Sequence, residues 1–432
     1  MVYNLFTHAF VVGFSHDFPA IIVKWVIYLL GLREDGYICI ENGNMLLLKQ
    51  LFESMFEEGN TVNESKLRKD RGMEITMIIH IVGNRPQFIK LAPLYRMLEQ
   101  AGCQQKIIHS GQHYDKNMSD VFFGELGIPA PYLNLEAGGG SHAQVTAKAM
   151  IGLEDELSQN RPNLVILYGD TNTTLAGALV AAKLGIPMAH VEAGPRINIK
   201  SNPEECNRIA TDHLSDILFC PDNSSMQNLQ REGLGDRAYL TGDIMYDTYL
   251  SIAGRFAGAK PQEEVIVMTW HRQENTSDRA RMESILRLVE RLEEHVVFPV
   301  HPRTRKCLEQ YGLMERAAGI PGLEMTEPLG YVEMVKLMQR ARLILTDSGG
   351  LSKESSFAGA KCLFMLEADI WEDLVREKWI RRVNPQDESS VEEALRFAAE
   401  AKRVANEDRP KFYGDGHAAS KMVQALRERQ FI

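Results

Sequence analysis

The feature that most constrains this chain is an alternation. Short apolar runs that stop at a glycine or a charge are followed by segments whose apolar residues recur at helical spacing. ITMIIHIVG (75–83) is a continuous apolar run ending in Gly, as expected of a strand buried on both faces. QFIKLAPLYRMLEQAG (87–102) then carries a helical period to a Gly stop. QKIIHSG, NLVILYGD (163–170) and IPMAHVEAG (186–194) repeat the strand pattern, and TNTTLAGALVAAKLG reads as a small-residue helix between the last two. A second series begins near residue 262, with VIVMTW (265–270), VVFPVH (296–301), LEMTEPLG (323–330), ARLILTDSGG (341–350) and KCLFML (361–366). Strands separated by helices imply parallel βαβ units. The sequence therefore predicts an α/β protein of two Rossmann-like doubly wound domains facing a cleft. The expected division is 73–250 and 251–410, with GRFAGAKPQEE (254–264) as the linker. A C-terminal helix within 411–432 is expected to pack back on the first domain.

Length and charge agree with that division. A chain of 432 residues has room for two domains. The net charge of −10 argues against non-specific nucleic-acid binding, which needs a basic face, but leaves room for a locally positive pocket. The six cysteines (39, 103, 206, 220, 307, 362) are scattered, with no CxxC spacing. They read as reduced thiols of a cytoplasmic protein, not as a disulfide frame or zinc site. Residues 1–72 read differently from the rest. FPAIIVKWVIYLLGL (18–32) is shorter than the ~20 residues of a membrane span and is interrupted by Lys24. No basic start or small-residue cleavage site accompanies it. This segment is read as an appendage, or as a start codon assigned too early, and its deletion is expected to leave the fold intact.

Ligands of doubly wound sheets bind at the carboxyl ends of strands, and the charged clusters fall there. GNRPQFIK places Arg85 and Lys90 at a strand-to-helix junction, where free N–H groups and the helix dipole favour an anion. Ser348, Gly349 and Gly350 of TDSGGLSKES can present N–H groups to a phosphate, and Glu354 can take a ribose hydroxyl pair. The alternative for this stretch is a plain helix cap. TWHRQEN and PVHPRTR put His271, Arg272, His301, Arg303 and Arg305 at strand ends, a cationic pair of ends suited to a diphosphate clamp. Neither a dinucleotide fingerprint nor a P-loop is present, so both are unsupported, and a metal site is the weaker reading because the histidines lack close ligand spacing. Asp170, Glu192 and Glu204 follow two neighbouring strands and open a helix. Adjacent strands lie ~4.8 Å apart, so such carboxylates can share one pocket and do acid/base work. Capping of the TNTT helix is the simpler role for Asp170. Glu205 reads as the partner of Arg208.

RPQFIK, GQHYDKNMS, GDTNTTLAGAL, HVEAG with PEE-x-NR, TWHRQEN, HPRTR and TDSGG, in this order, resemble the non-hydrolysing UDP-N-acetylglucosamine 2-epimerases over roughly residues 75–430. The resemblance implies the GT-B fold, a UDP-sugar substrate, a homodimer and no cofactor. It implies anti elimination of UDP to a 2-acetamidoglucal and re-addition with C2 protonated on the other face, serving surface polysaccharide precursors. By similarity Asp170, Glu192 and Glu204 form the acid/base set. Arg85, Lys90, His271 and Ser348–Gly350 would hold the diphosphate, and Glu354 the ribose. Gln112, Arg272 and His301 would belong to a second, activating site of some members, in which Lys148 stands where an Arg is expected. Two departures stand out: Pro195 before Arg196, where the family reads Leu–Arg, and FMLEADIWED (364–373) in place of an Arg-Asp-x-Thr-Glu type segment. The short loop to PEE leans toward epimerases of UDP-2,3-diacetamido-glucuronic acid. The competing readings are a hydrolysing relative, a retaining GT-B glycosyltransferase and a UDP-sugar binder without turnover.

Overall fold

In β4 (Leu164–Tyr168) every side chain is buried, because helices cover both faces of its sheet. The computed structural model describes residues 76–111, 123–199, 201–256, 263–366 and 371–432. The sheet that holds β4 also contains β1 (Met77–Val82), β2 (Gln104–His109), β3 (Leu133–Asn134), β5 (Met188–Val191), β6 (Ile217–Cys220) and β7 (Ala238–Leu240). All pairings are parallel, in the order β3-β2-β1-β4-β5-β6-β7. The second sheet runs β10-β9-β8-β11-β12-β13, also parallel throughout. Its strands are β8 (Val265–Thr269), β9 (Val296–Pro299), β10 (Leu323–Thr326), β11 (Ala341–Thr346), β12 (Lys361–Phe364) and β13 (Ile380–Arg382). The two sheets thus share a doubly wound strand order. The short edge strands β3, β7 and β13 are not announced by the apolar periodicity, since two or three residues carry no readable period.

Chain direction reverses its march across each sheet at one place: between β1 and β4, and between β8 and β11. These switch points are where doubly wound sheets open a crevice. Gly83–Arg85 and Gly169–Asp170 lie at the first, Trp270–His271 and Asp347–Ser348 at the second.

One buried cluster joins the two sheets. It runs from Ile78 and Val82 of β1 through Ile244 and Tyr249 to Phe357, Val265 and Ile344. The helix Ile244–Ala253 is central to it, packing on the helix Arg85–Gln100 and on the helices Tyr331–Met338 and Gly349–Ala358 of the second sheet. Pro93 stands inside Arg85–Gln100, where it cannot donate to the Ile89 carbonyl. Thr248 Oγ1 donates to that carbonyl instead, at 2.7 Å, so the helix break becomes a cross-link. The C-terminal helix Ala418–Glu428 lies against Arg85–Gln100, and its first N–H groups are capped by Asp247. Among the described residues no helix is long and apolar enough to cross a membrane. Residues 1–75 and the greater part of the expected linker lie outside the described residues.

Candidate active site

Register brings the first carboxylates together. Tyr168 of β4 pairs with Val191 of β5, so Gly169–Asp170 and Glu192 leave the sheet side by side. Gly169 turns with a φ of 61°, and a Cβ there would stand 3.3 Å from Lys90 Nζ and 3.6 Å from Glu192 Oε2. The turn favours glycine, and a side chain there would press on the end of Lys90. Glu192 itself has a φ of 70°, which non-glycine residues rarely adopt and which surrounding structure must enforce. Its carboxylate pairs with Lys90, from the helix Arg85–Gln100, and lies 3.5 Å from Lys353 Nζ. Burial pushes this carboxyl up, but Lys90 and Lys353 together outweigh it and bring it down to about 2. Glu192 is therefore a carboxylate at neutral pH.

Asp170 does not cap the following helix. Thr171 does so, in a capping box with Thr174. Asp170 instead pairs with Arg208, whose other arm holds Glu205 at 2.6 Å. Glu205 is buried and also accepts the N–H groups of Ile197 and Asn198, which fixes the loop before the helix Pro203–Leu214. Its partnership with Arg208 is as the sequence predicts. Glu204 is exposed on the first turn of that helix, four positions before Arg208.

The charge-rich stretch 190–208 thus divides in two. Asp170, Glu192 and Arg208 face the switch point. His190 and Arg196 turn inward as a support. His190 bridges Asp212 and the Gly169 carbonyl, each at 2.6 Å, while Arg196 holds Asp212 at 2.8 Å and Glu232 in a two-pronged pair. Pro195 leaves Arg196 able to make these bonds.

The second switch point is organised by Asp347, which is fully buried. Its carboxylate accepts the N–H groups of His271 and Arg272, at 3.1 and 2.8 Å, and the Asn275 amide at 3.2 Å. His271 Nδ1 stands 3.2 Å from it. Burial opposes ionisation, yet His271 and these donors hold the carboxyl below its ordinary range. The His271 and His301 rings are 5.3 Å apart. Burial lowers the His301 pKa, and His271, Arg303 and, across from the first sheet, Arg85 lower it further. Arg85 therefore lies within electrostatic reach of the His271–His301 pair. Ser348 is the N-cap of Gly349–Ala358, accepting from Leu351 N–H, while Gly349 and Gly350 face open space at that helix end. The cap and the anion-binding readings of this loop hold together: the side chain caps, and free N–H groups remain for an anion. Among the described residues no cluster of His, Cys, Asp and Glu is arranged to hold a metal ion.

Three expected residues also meet groups of the protein itself. Lys90 pairs with Glu192. Glu354 is buried and accepts the Tyr331 hydroxyl at 2.6 Å; burial pushes its carboxyl up to about 7, against the pull of Tyr331 and Lys353. The Arg272 side chain is exposed, and only its N–H reaches Asp347. Gln112 lies outside the described residues, as do residues 367–370 of the divergent 364–373 segment. From that segment Trp371 donates its indole N–H to the Gly349 carbonyl at 2.8 Å. Sequence reading passed over Asp347, Asp243 and Lys353. Asp347 sits inside the TDSGG stretch, and an acid directly after a buried strand was the available signal. Lys353 gave none, since one lysine in a polar stretch reads as surface.

Comparison with known proteins agrees with this fold. A family model described as UDP-N-acetylglucosamine 2-epimerase matches residues 96–427. A UDP-N-acetylglucosamine 2-epimerase homolog of Methanococcus maripaludis is 40% identical over 359 residues, covering 81% of this chain and 99% of its own. The UDP-2,3-diacetamido-2,3-dideoxy-D-glucuronate 2-epimerase of Pseudomonas aeruginosa is also 40% identical over 359 residues, with the same coverage. The structure of Methanocaldococcus jannaschii UDP-GlcNAc 2-epimerase in complex with UDP-GlcNAc and UDP superposes with a TM-score of 0.73 at 33% identity, over 82% of this chain and 100% of that one.

Proposed function

The chain belongs to the UDP-N-acetylglucosamine 2-epimerase family, an isomerase family, and on that premise we propose that it interconverts UDP-N-acetylglucosamine and its manno epimer without net hydrolysis. The observation that carries the proposal is the pairing of Lys90 with Glu192 beside Asp170, at the same cleft as Arg85, His271 and the Ser348–Gly350 helix end.

Epimerisation at C2 needs a proton removed from one face and returned to the other. The C2 proton is poorly acidic until the C1–O bond to UDP stretches and positive charge builds at C1. A carboxylate then takes the proton, the C2 electron pair forms the C1=C2 bond, and the C1–O pair leaves with UDP. Readdition of UDP to the 2-acetamidoglucal, with C2 protonated on the opposite face, gives the manno sugar. The leaving diphosphate needs cations and N–H groups, which Arg85, His271 and the Gly349–Ala358 helix end supply. Two faces need two acid/base groups, drawn from Asp170, Glu192 and Glu204.

Lys90 links the two tasks. While it pairs with Glu192, that carboxylate is held at about 2 and is a weak base. An arriving diphosphate competes for the ammonium. As Lys90 shifts toward it, Glu192 becomes a stronger base, so substrate binding favours the proton transfer. The product would feed surface polysaccharide precursors, with a homodimer as the working form.

The test is proton NMR of the protein with UDP-N-acetylglucosamine in deuterated water. Deuterium at C2 with a growing manno signal and conserved UDP-sugar is the expected result. Free N-acetylmannosamine plus UDP would replace epimerisation by hydrolysis. The second reading is the 2,3-diacetamido-glucuronate substrate, favoured by the Pseudomonas aeruginosa relative. Exchange with that sugar alone would select it.

A further inference from the structure

Lys353 has no part in that mechanism, yet it is among the largest fully buried side chains, at 2% exposure. A lysine is almost never buried so far unless it is paired. Its Nζ meets the Asp243 carboxylate and lies 3.5 Å from Glu192 Oε1. The Trp371 ring centre is 4.5 Å from it and the Tyr413 ring centre 5.6 Å. Asp243 caps the helix Ile244–Ala253 through Met245 N–H, and the Trp371 indole bonds back to Gly349 and Ser352. One ammonium therefore touches the end of β5, the cap of the helix that joins the sheets, and the aromatic cover from the divergent segment. The same lysine belongs to the helix whose start faces the diphosphate. Asp222 and Glu354 are the other acids that bear on it; Lys90 and Arg208 face Glu192 from their own helices.

We propose that Lys353 is a positioning residue, whose ammonium holds the Glu192 carboxylate at the strand end and ties it to the helix that receives the diphosphate. This deepens the epimerase reading and rests on it. Lys353 is not a catalytic residue, because its burial lets it act on substrate only through Glu192. It differs from Lys90 in kind. Lys90 has one carboxylate partner and can move to a phosphate; Lys353 is fixed between two carboxylates and two rings. Without it, Asp243 and Glu192 would be left to share a buried site with one cation fewer, and Glu192 would turn away or take up a proton.

The test compares wild type with Lys353→Arg, Lys353→Met and the charge-balanced Lys353→Met/Asp243→Asn, which folds without a stranded Asp243 should the single variant fail to. UDP affinity, epimerisation rate against pH and unfolding midpoint are measured for each. The double variant is expected to bind UDP within about threefold of wild type. Its kcat should fall about 100-fold, as misplacement of an acid/base group does, with the acid limb of the pH profile moved upward. Lys353→Arg should recover part of the rate. A double variant with the wild-type rate and acid limb would overturn the proposal. So would rate and UDP affinity falling in parallel with the acid limb unmoved, which marks a packing role. If wild type turns over neither UDP-sugar, the epimerase reading fails on its own account. Isotope-edited infrared titration of the Glu192 carboxyl then decides: an upward move in the double variant supports the role of Lys353, and an unmoved titration overturns it.

Discussion

Asp170 and Arg208, 38 positions apart in the chain, meet at a guanidinium whose other arm holds Glu205 at 2.6 Å. One cation thus serves a carboxylate of the reaction site and a carboxylate of the scaffold. Arg208→Met would strand Glu205, which is buried, and loosen the loop whose N–H groups Glu205 accepts. Removing one partner of a buried pair costs about 3 kcal/mol. Urea unfolding at pH 7 should show a loss of that size, and Arg208→Lys, which keeps charge but not both prongs, a smaller one.

Glu192→Gln keeps the shape and removes the base. Acid/base groups contribute about 100- to 10,000-fold, so C2 deuterium exchange should fall into that range while UDP binding persists. Retention of wild-type exchange would remove Glu192 from the acid/base set.

Stability against pH should carry two opposed signatures. The Glu192 carboxyl is depressed from 4.5 to about 2, so its contribution is present above about pH 4.5 and lost as pH falls toward 2. The Glu354 carboxyl is raised from 4.5 to about 7, so its contribution is present below about pH 4.5 and lost as pH rises through 7. Each amounts to about 3 kcal/mol at most. Glu354→Gln should flatten the decline between pH 5 and 8, read from unfolding midpoints across that range, and leave the acid side unchanged.

Asp347→Asn should weaken UDP binding about tenfold, a loss on the scale of one charged hydrogen bond, because it unfastens His271 and the Arg272 N–H from the end of β11. Calorimetric titration with UDP checks this.

Gly169→Ala adds a methyl 3.3 Å from Lys90 Nζ at a φ of 61°. It should cost about 1–2 kcal/mol in unfolding free energy and displace the Lys90–Glu192 pair, so activity should fall further than stability accounts for.

The sequence by itself determined the architecture and the address of the site. Strands buried on both faces must be continuously apolar, and this period is local, so β1, β4, β5, β8, β9, β11 and β12 can be read without coordinates. Strand ends are legible in the same way, and Asp170, Glu192, His271 and Ser348 stand one or two residues beyond buried strands. The partners were decided only by tertiary structure. Lys90 could hold a phosphate or a carboxylate, and only the 4–5 pairing of strands, which sets Gly169 beside Glu192, makes it the carboxylate's. His190 and Arg196 look as reactive in the sequence as Glu192, but their side chains turn toward Asp212 and Glu232. Lys353 looks like surface, and folding buries it between Asp243 and Glu192. A residue's charge is written in the sequence; which opposite charge it meets depends on contacts across as many as 161 positions, and no local pattern encodes them.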